Sequence, residues 1–262
     1  MKLATLAFMV LCLACNTAPE KKEVMGIAGA YKMSSSRVKG DKFDSTYNDL
    51  SQLKIYTGEY MMYANVNVPD SIGSFGIGTY HINGDTLTEN VIYSAHDSVY
   101  NDKPETYKLA VQKTTTGYKQ LITGMHDNDG NKFDLTETYD SAATVVPTTV
   151  DGAWKLVKRY YVLGKDTSSI ICTQYKTYYA GYTIWGGTWK DSLNKTHTGI
   201  GYGKFTMPAA NKVKELMATS TFYEVRGHDF DIDLDMMGSD GFKQTIHNPD
   251  GSKSVEVYER LK

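Results

Sequence analysis

Apolar and polar residues alternate in short runs along nearly the whole chain. Tyr107 to Val111 and Phe230 to Leu234 show the pattern plainly, as strands do when one face is covered and the other is wet. Turn residues break the runs about every eight to twelve positions, the spacing of an antiparallel sandwich or barrel. Asn83-Gly84-Asp85 lies between Gly78–Ile82 and Thr86–Glu89 as a tight hairpin, because Asn and Gly tolerate the positive φ such a turn needs. Asp129-Gly130 and Asp250-Gly251 mark the last hairpin of each half. Only Pro208 to Met217 has good helix formers behind a Pro. Its counterpart in the first half is the strand pair around Thr86–Ser94, so strand with a reshaped turn is expected there too.

The pattern is written twice. Gly29-Ala30-Tyr31-Lys32-Met33 returns as Gly152-Ala153-Trp154-Lys155-Leu156, and Gln52-Leu53-Lys54-Ile55-Tyr56 as Gln174-Tyr175-Lys176-Thr177-Tyr178. Gly76-Ile77-Gly78-Thr79-Tyr80 answers to Gly201-Tyr202-Gly203-Lys204-Phe205, and Gly117-Tyr118-Lys119-Gln120 to Gly241-Phe242-Lys243-Gln244. An offset of about 122 residues makes two copies of a module of about 115 residues, an ordinary domain size. The expected modules span residues 26–143 and 148–262.

Residues 1–15 begin Met1-Lys2 and continue into the apolar run Leu3–Leu13, too short to span a bilayer and typical of a secretory signal. The run ends Cys12-Leu13-Ala14-Cys15-Asn16, which resembles the lipobox of bacterial lipoproteins; it departs from that pattern at Cys12, where an aliphatic residue is usual. The resemblance implies a lipid on Cys15, which would tether the chain to a leaflet of the cell envelope, with the outer membrane expected and the side left open. Residues 16–25, with Pro19 and Glu20-Lys21-Lys22-Glu23, read as a flexible tether.

Composition then excludes rather than assigns. The formal net charge is -2 over 262 residues, and no basic patch interleaves with aromatics, so no nucleic-acid partner is expected. Past the signal segment Cys172 is the single cysteine, and its run Ser169-Ile170-Ile171-Cys172 predicts a buried, inert thiol. The chain has no Gly-x-Ser-x-Gly elbow, paired metal-binding His or phosphate loop, since Gly76-x-Gly78 and Gly201-x-Gly203 sit in hairpins. We therefore expect no enzyme, no cofactor and no metal.

A sheet of seven to nine such strands per module solves its edge problem by closing, which gives an all-β fold of two tandem up-and-down barrels. The Gly-x-aromatic opening, the Lys-x-Tyr strand, the Gly-x-Gly-x-aromatic hairpin and the closing Glu-x-Tyr-Glu-Arg resemble the lipocalin-like domain of Bacteroidetes-type lipoproteins. That resemblance implies a structural cap at one barrel end, with Trp154 of the Gly-x-Trp under Arg260 of the last strand. The first module has Tyr31 and Ser141 at those places.

The strand Tyr60-Met61-Met62-Tyr63 aligns with Tyr182-Thr183-Ile184-Trp185. One face carries Tyr60 and Met62 against Tyr182 and Ile184, the other Met61 and Tyr63 against Thr183 and Trp185. One of these faces must line the lumen, either filling the core or framing a cavity for a small apolar or aromatic molecule. Asp229, Asp231, Asp233 and Asp235 form an acidic ladder on one face of a strand, and His126 and His247 hold matching places before the last hairpins. Both are read as solvated surface. Asp44-Ser45-Thr46, Asp70-Ser71-Ile72, Asp85-Thr86-Leu87, Asp97-Ser98-Val99, Asp140-Ser141-Ala142 and Asp191-Ser192-Leu193 resemble the O-glycosylation motif of secreted Bacteroidetes proteins; ordinary turn chemistry is the alternative. The function expected is that of a membrane-anchored binding protein for small apolar or aromatic molecules. The other reading is an envelope module with filled barrels that contacts a glycan or protein.

Overall fold

The structure is a computed structural model that describes residues 26–48, 50–127, 129–142 and 146–262. Cys15, the signal segment and the tether 16–25 lie outside the described residues. The first module comprises β1 (Gly29–Gly40), β2 (Asp44–Tyr47), β3 (Gln52–Tyr56), β4 (Tyr60–Asn67), β5 (Ile72–Asn83), β6 (Thr86–His96), β7 (Val99–Asn101), β8 (Glu105–Lys113), β9 (Gly117–His126) and β10 (Lys132–Ser141). The second comprises β11 (Gly152–Leu163), β12 (Asp166–Ser169), β13 (Cys172–Tyr179), β14 (Tyr182–Lys190), β15 (Thr196–Ala209), β16 (Lys212–Ser220), β17 (Asp229–Met236), β18 (Gly241–His247) and β19 (Lys253–Arg260). Pairing of β10 with β1 and of β19 with β11 closes each sheet into an antiparallel barrel of eight strands. The short strands β2, β7 and β12 lie outside the rings as added ribbons.

Residues 208–217 are no helix: Pro208 and Ala209 end β15, residues 210–211 turn, and Lys212 opens β16, the strand with a reshaped turn that the repeat requires. Val213, Glu215 and Met217 are buried while Lys212, Lys214 and Leu216 are exposed, so a period of two wins over the helix-forming composition. The Gly-x-Gly motif also has a physical reason. Gly76 and Gly201 stand opposite Tyr63 and Trp185, whose rings lie so close that a Cβ on either glycine would come within 2.5 Å of them. Gly78 and Gly203 sit at bulges, where a Cβ would strike the backbone of β6 or β16.

At the closed end of the second barrel Trp154 is fully buried. Its indole Nε1 donates to Val150 O at 2.9 Å, and the Arg260 guanidinium lies 4.0 Å above the ring while donating to Asp151 O and Ser239 O. In the first barrel Tyr31 meets Tyr118 edge-on at 5.0 Å, and Ser141 stands opposite it. Cation–π stacking of this kind contributes about 0.5–2 kcal/mol. Arg260→Met is expected to cost about 2 kcal/mol by urea denaturation, and a loss below about 0.5 kcal/mol would reduce the cap to surface decoration.

The largest apolar cluster lies between the barrels. From the first come Leu53, Ile55, Met62, Phe75, Ile77 and Tyr93, and from the second Tyr175, Tyr182, Ile184, Ile200 and Tyr202. Repeat-equivalent strands face one another: β3 meets β13, β4 meets β14 and β5 meets β15. The contact is thus close to isologous, like that of a two-fold dimer joined into one chain. Gly186 is the seat of the Phe75 ring, and Gly73 receives Ile200 Cδ1 in return. Tyr93 Oη with Thr188 Oγ1 at 2.5 Å, and Ser51 Oγ with Tyr202 Oη at 2.7 Å, close the seam. Arg226 and Ser71, in the connections β16–β17 and β4–β5, bond at 2.8 Å, so both barrel mouths open on the same side.

Candidate functional site

On β3 the usual alternation is inverted with respect to the lumen. Leu53 and Ile55 point out to the partner barrel, while Lys54 and Tyr56 point in. On β13, Lys176 and Tyr178 likewise point in, and each buried lysine finds an acid from across the barrel. Lys54 Nζ lies 2.7 Å from Glu89 Oε1, and Lys176 Nζ lies 2.6 Å from Glu215 Oε1. Tyr56 and Tyr178 donate to the same two carboxylates. Gln120 and Gln244 donate to Glu137 and Glu256, which also accept from Tyr139 and Tyr258. Gln52 and Gln174 donate to the same two tyrosines. A matching set of seven residues therefore lines each barrel, joined into one network in the second through Lys176 and Gln244 and forming two groups, Lys54–Glu89–Tyr56 and Gln120–Glu137–Tyr139–Gln52, in the first. Burial, and then the Glu215 and Glu256 carboxylates, push Tyr178 and Tyr258 well above the usual phenol range. Both stay protonated donors.

Two differences separate the barrels. Arg159 faces Glu256, with Nε 3.2 Å from Oε1, whereas Ser36 occupies the equivalent place opposite Glu137. In the first barrel Gln120 Oε1 is buried with no partner among the described residues; in the second, Gln244 Oε1 accepts from Lys176 at 3.1 Å. Burial raises the Glu137 carboxyl, with Lys54 opposing. A carboxyl raised in the folded state lowers stability as pH climbs above its unfolded value, near 4.5. Glu137→Gln is accordingly expected to stabilise the chain at pH 7, with the gain fading below about pH 4.5. A gain independent of pH in denaturant titrations would contradict this.

The second lumen keeps a cavity of about 360 Å³. Its floor is the network of Lys176, Glu215, Gln174, Gln244 and Glu256, with Arg159 at the side, and its wall is aromatic. Trp185 and Trp189 both lie against Phe222, with ring centroids 5.9 Å apart in each pair, and Phe230, Ile246, Met217 and Val225 add apolar surface. The first barrel has Asn65 and Asn67 at the positions of Gly187 and Trp189. Its inner half is packed with the rings of Tyr31, Tyr56, Tyr80, Tyr118 and Tyr139.

The sequence candidates divide between two places. Met61 and Tyr63 pack with the first lumen, and Trp185 lines the second cavity. Thr183, on the same face of β14 as Trp185, is fully buried with its hydroxyl unpartnered among the described residues. Tyr60, Met62, Tyr182 and Ile184 belong to the joint between the barrels. Cys172 is half-buried beside Arg159 at the cavity rim rather than deep in the core, because it opens β13 at the mouth.

Neighbouring strands meet the acidic ladder with basic side chains: Lys214 pairs with Asp229, Lys212 with Asp233, and Lys243 with Asp235, while the His247 ring lies 2.9 Å from Asp233. His126 is exposed. Asp70, Asp85 and Asp97 lie in turns and Asp191 just before one, while Asp44 and Asp140 lie in strands; Asp191 caps the turn that follows it through Leu193 N and Lys195 N.

No sequence motif marks the network residues Glu89, Glu215 and Arg159. A charge retained in both copies at an apolar-flanked position, as at Lys54 and Lys176, was the available signal.

No protein-family model matches the chain, and no curated protein matches it. Among solved structures it is similar to a protein of unknown function from the DUF3598 family of Nostoc punctiforme, at 11% identity over 89% of this chain and 96% of that one, with a TM-score of 0.24.

Proposed function

We propose that the chain is a binding protein in which the second barrel holds a small, flat, largely apolar molecule and the first serves as its docked scaffold. The cavity in the second lumen carries this reading. About 360 Å³ falls at the lower end of the range for small-molecule sites, roughly 300–1,000 Å³, and an aromatic wall above a few fixed polar groups is their usual lining. Trp185 and Trp189 offer flat faces for stacking, while the network holds its polar atoms in place without ligand. The test is titration with 1-anilinonaphthalene, a neutral fluorescent probe. One molecule per chain is expected to bind, and Ile246→Trp, which fills the cavity, to abolish it. No binding, or binding that survives Ile246→Trp, overturns the reading.

The lipobox-like segment ending at Cys15 supports anchoring of this binding unit to the cell envelope by lipid alone. Incorporation of an alkynyl fatty acid that Cys15→Ser removes is the expected result; equal labelling of that variant would contradict it. A second reading, contact with an envelope protein or glycan, is favoured by Ile171, Leu193 and Tyr223. These stand 92%, 86% and 80% exposed on three separate connections around the second mouth, more bare apolar surface than a closed rim needs.

A further inference from the structure

We infer that the second barrel selects an aromatic or apolar acid, whose carboxylate pairs with Arg159 while its ring lies along the Trp185–Phe222–Trp189 wall. This deepens the binding reading above and rests on it. The donors on the cavity floor are almost all used internally. Lys176 is held by Glu215 and Gln244, Gln174 donates to Tyr258 and Glu256, and Gln244 donates to Glu256. Glu215 and Glu256 in turn receive those donors, so the floor's hydrogen bonds are used up, and its one surplus negative charge, that of Glu256, is met by Arg159.

Arg159 is different. A guanidinium carries five N–H donors; this one lies 3.2 Å from Glu256 Oε1 at Nε without an aligned hydrogen bond, keeps a long 3.5 Å bond from Nη1 to Gln174 Oε1 and meets the Cys172 sulfur. Nη2 has no oxygen acceptor among the described residues. The side chain is 32% exposed, and it lines the cavity rather than the outer surface. A cation so placed offers a planar pair of donors to an entering anion, the geometry in which Arg binds carboxylates best. Glu256 and Gln174 hold it in position, so little side-chain freedom remains to be lost on binding.

The first barrel supplies the internal contrast. It shares the other network residues, yet has Ser36 for Arg159 and Asn67 for Trp189. The tyrosines that fill the closed end of the first barrel have counterparts in Trp154, Tyr178, Phe205, Phe242 and Tyr258 of the second, so the contrast lies at the mouth, where the second copy alone has both Arg159 and Trp189.

The experiment displaces 1-anilinonaphthalene from the mature chain with 2-naphthoate or with the neutral 2-naphthalenemethanol. The acid is expected to displace it at a concentration at least about tenfold lower, since a hydrogen bond to a charged group contributes that much. In Arg159→Gln the two competitors should become equal, each measured against the probe's own affinity for that variant. Equal displacement in the unaltered chain, or a preference for acid that persists in Arg159→Gln, overturns the inference and leaves the binding reading standing. Should Arg159→Gln fail to fold, the ratio in the unaltered chain decides alone. Failure of the probe to bind the unaltered chain removes the binding reading and, with it, this one.

Discussion

Glu215→Ala is expected to destabilise the second barrel by about 3–5 kcal/mol, the usual cost of leaving one partner of a buried ion pair alone. Glu215 is 4% exposed and Lys176 is 3% exposed. Removal of the carboxylate strands an ammonium inside a lumen and takes away the acceptor of Tyr178. The desolvation that the pair endures is recovered only while both charges are present. Replacing both, as Lys176→Met with Glu215→Leu, should therefore recover most of the loss, because two apolar side chains leave no unpaired charge. Exposed pairs such as Lys243–Asp235 should cost no more than about 1 kcal/mol when broken. Urea denaturation of the three variants measures this, and a small loss for Glu215→Ala would show that water reaches Lys176.

Phe75→Ala is the second large effect, at about 3–5 kcal/mol for a buried ring lost from a packed core. Phe75 is fully buried although it lies on the outside of its own barrel, seated on Gly186 of the other. The loss should therefore fall on the joint. We expect the unaltered chain to unfold in one cooperative transition, and Phe75→Ala to separate it into two. Gly186→Val should do the same from the opposite side, since its Cβ would stand 2.5 Å from the Phe75 ring. A single unshifted transition in both variants would mean that the barrels do not stabilise each other.

Period-two alternation, turn chemistry and the repeat carried the all-β class and two closed barrels, because each acts locally and the two copies correct one another. Which face of each strand is the inside was not legible. In most barrels the apolar face marks the interior, but here the outer faces of β3, β4 and β5 are apolar as well, being buried against the second module. Tyr60, Met62, Tyr182 and Ile184 look like lumen residues for that reason. Conversely Lys54 and Glu89 read as surface charges until the closed barrel sets them 2.7 Å apart, since strands β3 and β6 are 30 or more residues apart along the chain and no spacing rule joins them. The cavity was likewise invisible. It depends on Gly187 and Trp189 standing where the first copy has Asn65 and Asn67, a difference that acquires meaning only once the strand faces are known.

A crystal structure of the chain soaked with 6-bromo-2-naphthoate shows directly where a ligand sits. The anomalous signal of bromine is expected once per chain, inside the second barrel beside Trp185 and Trp189. Bromine in the first lumen, in both lumens, or only in the clefts between the barrels would contradict it.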